Sequence, residues 1–339
     1  MTEADARMKR RSPIFRRWIR RLFWPAAGAF VLLNAVAFFH ARAMLFFIEA
    51  GRRTPKIEQL SAIQKAGVLL TGVRIPKPGN YRSPAGEGLV FETIALREPG
   101  RPDLEAWRIP CENPRGTIAM FHGYSDCKSS LVPAAREFHD LGYEVWLTDF
   151  RGCGGSAGNS TSLGWHEADD VRRLADFLRT QNAPRPLVLY GFSMGGAAIL
   201  RAVADLGVKP AGIVICSVFD TMLGAVQARF HSMGVPAFPA AQCLTFWGGV
   251  QQDMNAFANN PVDFAARVKC PALLMHGSAD VRAPLAQGSN VFARLAGPKR
   301  MVVFDGAGHG PLERSDPARW RKEIAAWLDT DVAAADRHR

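Results

Sequence analysis

Leu187-Val188-Leu189-Tyr190-Gly191-Phe192-Ser193-Met194-Gly195-Gly196 decides the fold. Its first four residues are apolar or aromatic, a short run fit for a buried strand. Gly191-Phe192-Ser193-Met194-Gly195 is a complete G-x-S-x-G, and Ala197-Ala198-Ile199-Leu200-Arg201-Ala202-Val203 continues as a helix. Strand, sharp turn and helix together are the context in which the pentapeptide forms a nucleophile elbow. The turn lifts the serine hydroxyl clear of the sheet. Gly191 and Gly195 let the strand and helix backbones approach with no Cβ between them. The helix N-terminus behind the serine offers free N–H groups and a positive dipole end to a developing anion. Alone, the pentapeptide also fits a glycine-rich turn with an incidental serine, so the neighbouring strands have to decide.

Those strands follow one pattern. Val90–Leu96 and Leu104–Ile109 half-alternate around Pro99-Gly100-Arg101-Pro102, which predicts an antiparallel hairpin. Short apolar runs then recur at Thr117–Phe121, Tyr143–Thr148, Leu187–Tyr190, Gly212–Cys216, Ala272–His276 and Met301–Phe304. Helical segments at Leu131–Leu141 and Glu167–Arg179 alternate with them; Val171, Leu174, Ala175 and Leu178 mark one apolar face of the second. Such alternation implies a mostly parallel sheet covered on both faces. In a sheet of this kind function gathers where the strands end. The strand ends here run into His122-Gly123-Tyr124-Ser125, Asp149-Phe150-Arg151-Gly152, the elbow, Gly277-Ser278-Ala279-Asp280 and Asp305-Gly306-Ala307-Gly308-His309.

On these motifs the chain resembles the α/β-hydrolase family over roughly residues 88–328, in the branch of monoacylglycerol lipase-like, lysophospholipase-like and serine aminopeptidase-like hydrolases. The resemblance implies a mostly parallel central sheet with helices on both faces and a short lid insertion, about 217–267. Ser193 matches the family's nucleophile, Asp280 its acid after the penultimate strand and His309 its base after the last strand, in the chain order of this fold. His122-Gly123-Tyr124 resembles the oxyanion turn, so the backbone N–H groups of Tyr124 and Met194 would receive the oxyanion. A serine nucleophile disfavours relatives that open epoxides or displace halides through an aspartyl ester. Asp220 is the rival acid and Asp305 a weaker one. His122 and His276 read as structural, Arg151 as a tie between loops, and His139, His166 and His231 as ordinary.

Bulk properties bound the rest. The 339 residues are 48% hydrophobic and 22% charged, enough for one large α/β domain with an appendage. The net charge of +11 is concentrated at the front, in Arg7, Lys9, Arg10, Arg11, Arg16, Arg17, Arg20 and Arg21. A basic front end suits nucleic acid or anionic lipid. The charge-free run Leu22–Phe39 directly after it favours membrane over nucleic acid. Trp24 falls at an interfacial position, and Pro25 is expected in a first helical turn. A cleaved signal peptide, with Ala41-Arg42-Ala43 as its site, and a helix buried against the domain are the rival readings. The expected organisation is a basic segment 1–21, an anchor 22–48, a connector 49–87 with a short helix in Ile57–Leu70, a hydrolase domain 88–330 and a tail 331–339. Charge bias puts the N-terminus in the cytoplasm and the domain across the membrane.

The six cysteines form no C-x-x-C pair and have no histidine at zinc spacing, so neither metal nor other cofactor is expected. The lid is rich in Met222, Phe230, Met233, Phe238, Phe246 and Trp247, which suits a lipophilic ester substrate, though the same side chains would also glue the lid to the core. Its few acids argue against gripping a peptide amine. The expected activity is therefore ester hydrolysis, with amide hydrolysis and a non-catalytic membrane-bound binding protein as alternatives.

Overall fold

The structure, a computed structural model, describes residues 13–55 and 59–337, with the side chains of 13–21, 69–71 and 336–337 outside that description. The basic cluster at Arg7 and Lys9–Arg11, the connector's 56–58 and the last two residues of the tail lie outside the described residues.

Eight strands form one sheet in the order β1-β2-β4-β3-β5-β6-β7-β8. The strands are β1 (Glu92–Leu96), β2 (Leu104–Ile109), β3 (Thr117–Phe121), β4 (Glu144–Thr148), β5 (Leu187–Phe192), β6 (Gly212–Cys216), β7 (Ala272–Gly277) and β8 (Lys299–Phe304). β2 pairs antiparallel with β1 and β4, and every pairing from β4 to β8 is parallel. β3, β4 and β6 are buried at every position, as expected for strands covered on both faces. The cover on one face comes from α4 (Glu167–Thr180) and α5 (Met194–Asp205), whose Val171, Leu174, Ile199 and Leu200 are sealed against the sheet. On the other face α3 (Val132–Asp140) and α11 (Pro317–Trp327) bury Phe138, Trp320 and Trp327.

Two helices precede the sheet. α1 (Pro13–Leu45) runs without a break, and α2 (Ala62–Thr71) starts in a capping box made by Ser61 and Gln64. Pro25 lies inside α1 and not in its first turn; helical residues begin well before the apolar run, so the boundary cannot be read from hydropathy. Leu22–Leu45, 24 residues with a mean hydropathy of 1.9, is long and apolar enough to cross a membrane, and only 6% of its most apolar window is buried. Leu22, Phe23, Trp24, Phe30, Val31, Leu32 and Phe39 are exposed, whereas Ala37, Ala41 and Leu45 are buried. The helix is thus bare along its first part and docked along its last turns.

The remaining helices are α6 (Met222–Met233), α7 (Ala240–Gln251), α8 (Pro261–Ala265), α9 (Leu285–Arg294), α10 (Leu312–Ser315) and α12 (Ala333–Arg337). α6, α7 and α8 make up the insertion between β6 and β7. α7 packs along α1: Trp247 donates to Asn34 Oδ1 at 3.1 Å and meets the Phe38 ring at 5.4 Å, and Gln251 donates to the Phe38 carbonyl at 2.8 Å. The connector lies across the domain. Ile48 and Thr54 donate to the Ile75 and Arg74 carbonyls, and Asn80 reaches Asp149 at 3.1 Å.

Candidate active site

β5 passes into α5 through a single residue, Ser193, at φ 52° and ψ −112°. A non-glycine residue held there carries strain of about 1–3 kcal/mol and persists only when its surroundings fix it. Two backbone bonds do so: Ser193 N–H donates to the Cys216 carbonyl at 2.7 Å, and its own carbonyl accepts from Ala197 at 3.1 Å. The glycines are needed for contact. A Cβ on Gly191 would stand 2.6 Å from the Gly195 carbonyl carbon, and one on Gly195 would stand 2.9 Å from the His122 oxygen. The Ser193 side chain makes no capping bond to the helix it precedes, which leaves its hydroxyl available.

Asp280 lies in the loop after β7. Its Oδ1 accepts from the Arg282 and Ala283 amides, both at 2.9 Å, and its Oδ2 faces His309 Nδ1 at 2.7 Å. Burial alone would push this carboxyl up. The His309 hydrogen bond and charge, with the two amides, outweigh burial and hold it below the ordinary carboxylate range. A carboxylate acceptor fixes the histidine tautomer: Nδ1 carries the proton and Nε2 keeps its lone pair. The His309 loop closes tightly over the end of β7, where a Cβ on Gly277 would stand 3.0 Å from the Gly308 oxygen. The His309 ring lies 5.2 Å from the ring of Phe192, the residue before the serine. Asp280 and His309 are therefore joined directly, and Ser193 is joined to them through its neighbour.

The rival acids are engaged elsewhere. Asp220 accepts from the Thr221 amide at 2.7 Å and from Asn290 at 2.9 Å, and Asp305 accepts from Ser278 at 2.9 Å. His276 is buried beneath the Asp280 loop with Nε2 2.7 Å from the Ala283 carbonyl, and burial lowers its pKa, keeping it neutral. It supports the loop as a core residue.

The turn after β3 carries Tyr124. Beneath it His122 is fully buried. Its Nε2 accepts from the Phe150 amide at 3.1 Å, so its Nδ1 donates to the Gly123 carbonyl at 2.8 Å. The ring thus ties the turn to the end of β4. The Phe192 ring closes on Gly123, where a Cβ would stand 2.9 Å from it. Ser125 follows at φ 52°.

Several supporting groups carry no local sequence signal. Lys128 is fully buried between Asp149 and Glu105, with its ammonium 4.3 Å from the centre of the Trp107 ring. Glu167, also fully buried, accepts from the Thr161 hydroxyl at 2.6 Å, the Ser162 hydroxyl at 2.5 Å and the Ser162 and Gly164 amides at 3.0 and 2.9 Å. Arg151 binds Asp170 at 2.6 Å, so it ties the loop after β4 to the first turn of α4 and not to another loop. The six cysteines are free, and no group of three or more His, Cys, Asp or Glu is placed to hold a metal among the described residues.

Strand order and strand-end loops give the α/β-hydrolase fold, and comparison with known proteins agrees. The family model described as serine aminopeptidase, S33, matches residues 112–237. The lysophosphatidylserine lipase ABHD12 of Danio rerio is 23% identical over 275 residues, covering 72% of this chain and 69% of that protein. The monoacylglycerol lipase of Mycolicibacterium smegmatis is 21% identical over 251 residues, covering 65% and 90%. The Pyrococcus furiosus esterase Pf2001 superposes with a TM-score of 0.65 at 17% identity, over 76% of this chain and 97% of that structure. The chain has the α/β-hydrolase fold, and its residues 112–237 are similar to the serine aminopeptidase, S33 family.

Proposed function

We propose that this hydrolase is a membrane-anchored serine esterase acting on lipophilic carboxylic esters through an acyl-enzyme. The observation that carries the reading is the 2.7 Å Asp280–His309 hydrogen bond, made on adjacent strand-end loops beside the strained Ser193 turn. In the proposed reaction His309 Nε2 takes the Ser193 proton as Oγ attacks the acyl carbon. Asp280 orients the ring and stabilises its cation. The tetrahedral oxyanion forms at the Met194 and Tyr124 amides, where loss of one donor typically costs about 2.7–4 kcal/mol. The intermediate collapses as His309 returns the proton to the leaving alcohol, and water then repeats the sequence to release the acid.

Lipophilic esters are favoured because the insertion between β6 and β7 is rich in apolar residues and packed along a helix fit to enter a bilayer. Two relatives named for lipase activity point the same way. Amide hydrolysis ranks second. The lid carboxylate nearest the strand ends, Asp220, is already held by Thr221 and Asn290 and is poorly placed to hold a peptide amine. With basic residues before α1, the N-terminus lies in the cytoplasm and the domain on the opposite side of the membrane.

The test is labelling with a fluorophosphonate probe, wild type beside Ser193→Ala. Labelling and p-nitrophenyl ester hydrolysis are expected in the wild type and absent from the variant. Equal hydrolysis by both proteins would overturn the reading.

A further inference from the structure

The last turn of α1 reaches the oxyanion turn itself. The Tyr124 hydroxyl donates to the Met44 carbonyl at 2.6 Å, and the Phe47 ring stands 6.5 Å from the Tyr124 ring. Past the helix end, Arg53 donates to the Ser125 carbonyl at 3.1 Å and also to the Ser125 hydroxyl. These contacts join residues 72 to 80 positions apart.

Each group has a physical reason to be there. The last carbonyls of a helix have no partner within it. In α1 the Met44 carbonyl is taken by Tyr124, and the Leu45 carbonyl accepts from Thr161 at 3.0 Å. Burial raises the Tyr124 pKa, so the phenol stays protonated and donates. Ser125 holds φ 52° and is 5% exposed, a backbone position that must be fixed from outside. Below the turn His122 fixes it, and beside it Phe192 does; from above, the contacts come from Met44, Phe47 and Arg53.

We propose that Tyr124, through its side chain, and Arg53 are positioning residues that hold the oxyanion turn against the end of the membrane helix, making that helix a working part of the active site. The proposal rests on the serine-esterase reading, in which the Tyr124 amide is an oxyanion donor. An amide displaced by a fraction of an ångström binds the ground-state ester almost as well but the tetrahedral oxyanion much less well. The signature is therefore a loss in kcat with KM preserved.

The experiment uses the full chain in detergent micelles with Tyr124→Phe, Arg53→Ala and Arg53→Lys. It measures kcat and KM for a p-nitrophenyl ester and the affinity of a trifluoromethyl ketone, whose serine adduct carries an oxyanion. Tyr124→Phe and Arg53→Ala should each lower kcat about 10- to 100-fold, the scale of a sub-ångström to 1 Å misplacement. KM should stay within about twofold and ketone affinity should fall in parallel with kcat. Arg53→Lys should recover part of the loss, because one ammonium reaches the hydroxyl or the carbonyl but lacks the planar fork for both. Arg53 is exposed, so its variants keep the test open if Tyr124→Phe does not fold. Unchanged kcat in Arg53→Ala, or a fall in kcat with ketone affinity intact, would overturn the proposal. Ser193→Ala run alongside separates the two readings: hydrolysis retained there removes the esterase reading itself.

Discussion

At the residue scale the decisive choice is between Asp280 and Asp220. Both follow strands in the half of the sheet where this fold keeps its acid, and the spacing in the chain does not separate them. Geometry favours Asp280, which has one oxygen on two amides and the other on His309, while Asp220 accepts from Thr221 and Asn290. Asp280→Asn should cost kcat about 10⁴-fold, because an amide oriented by the same two N–H groups turns its NH₂ toward the ring and imposes the wrong tautomer. Asp220→Asn should leave kcat within about twofold, since an asparagine keeps an acceptor for Thr221. Parallel kcat measurements on the two variants decide the assignment, and a larger loss in the Asp220 variant would reverse it. Because the Asp280 pKa is lowered on folding, the carboxylate also contributes stability above the ordinary carboxylate range and loses it as pH falls through the folded value. The acid limb of a denaturation profile should therefore flatten in Asp280→Asn.

At the scale of elements, the strands and the covering helices were legible because their signal is local. β3, β5, β6 and β7 are short runs of mostly apolar residues, and α4 carries its buried Val171, Leu174 and Leu178 at helical spacing. The strand-end motifs were legible for the same reason: Ser193, Asp280 and His309 each lie within five residues of the end of a strand. The loop 158–164 was not, since its order comes from one buried carboxylate three to six residues further along, which no hydropathy pattern marks. Glu167, at the start of α4, gathers four donors from that loop, and the loop in turn supports both α1, through Thr161 N–H, and the elbow, through the Thr161 hydroxyl 3.4 Å from Met194 Sδ. Burial would push the Glu167 carboxyl up; the hydrogen bonds from Ser162 and Thr161 outweigh it and hold it below its ordinary 4.5. Glu167→Gln turns an acceptor-only group into one that presents NH₂ to donors, and should lower unfolding stability at pH 7 by about 1.5–3 kcal/mol, read by urea denaturation. The sign with pH follows from the lowered value. The contribution is complete above pH 4.5 and disappears as pH falls through the folded pKa, so the gap between wild type and variant should narrow in acid. A gap that widened in acid would contradict this assignment.

For the whole molecule, the exposure expected of a span and the burial expected of a helix docked on the domain fall at two ends of one helix. The first part of α1 is bare and apolar, and its last turns are buried against α7 and the turn that carries Tyr124. Hydropathy averages over both and cannot find the boundary between them; the docking depends on Asn34, Phe38 and Met44 meeting residues 80 to 213 positions away, which no local pattern encodes. Two truncations divide the functions. Removing residues 1–33 takes away most of the exposed apolar surface of α1 but keeps Asn34, Phe38, Ala41 and the clasp on Tyr124. That protein should leave the membrane fraction on carbonate extraction while keeping its thermal midpoint and its kcat on a soluble ester. Removing residues 1–48 also strips the cover from Trp247 and Gln251 and leaves the Tyr124 hydroxyl without its carbonyl. An uncovered apolar face promotes association, and a half-buried phenol without a partner is costly. The longer deletion should therefore aggregate in the absence of detergent and, when kept monomeric, melt earlier and turn over more slowly than the shorter one. Equal behaviour of the two truncations would mean that the last turns of α1 only tether the domain, and membrane retention of the shorter truncation would move the attachment from the helix to the exposed Phe238, Phe246 and Val250 of the lid.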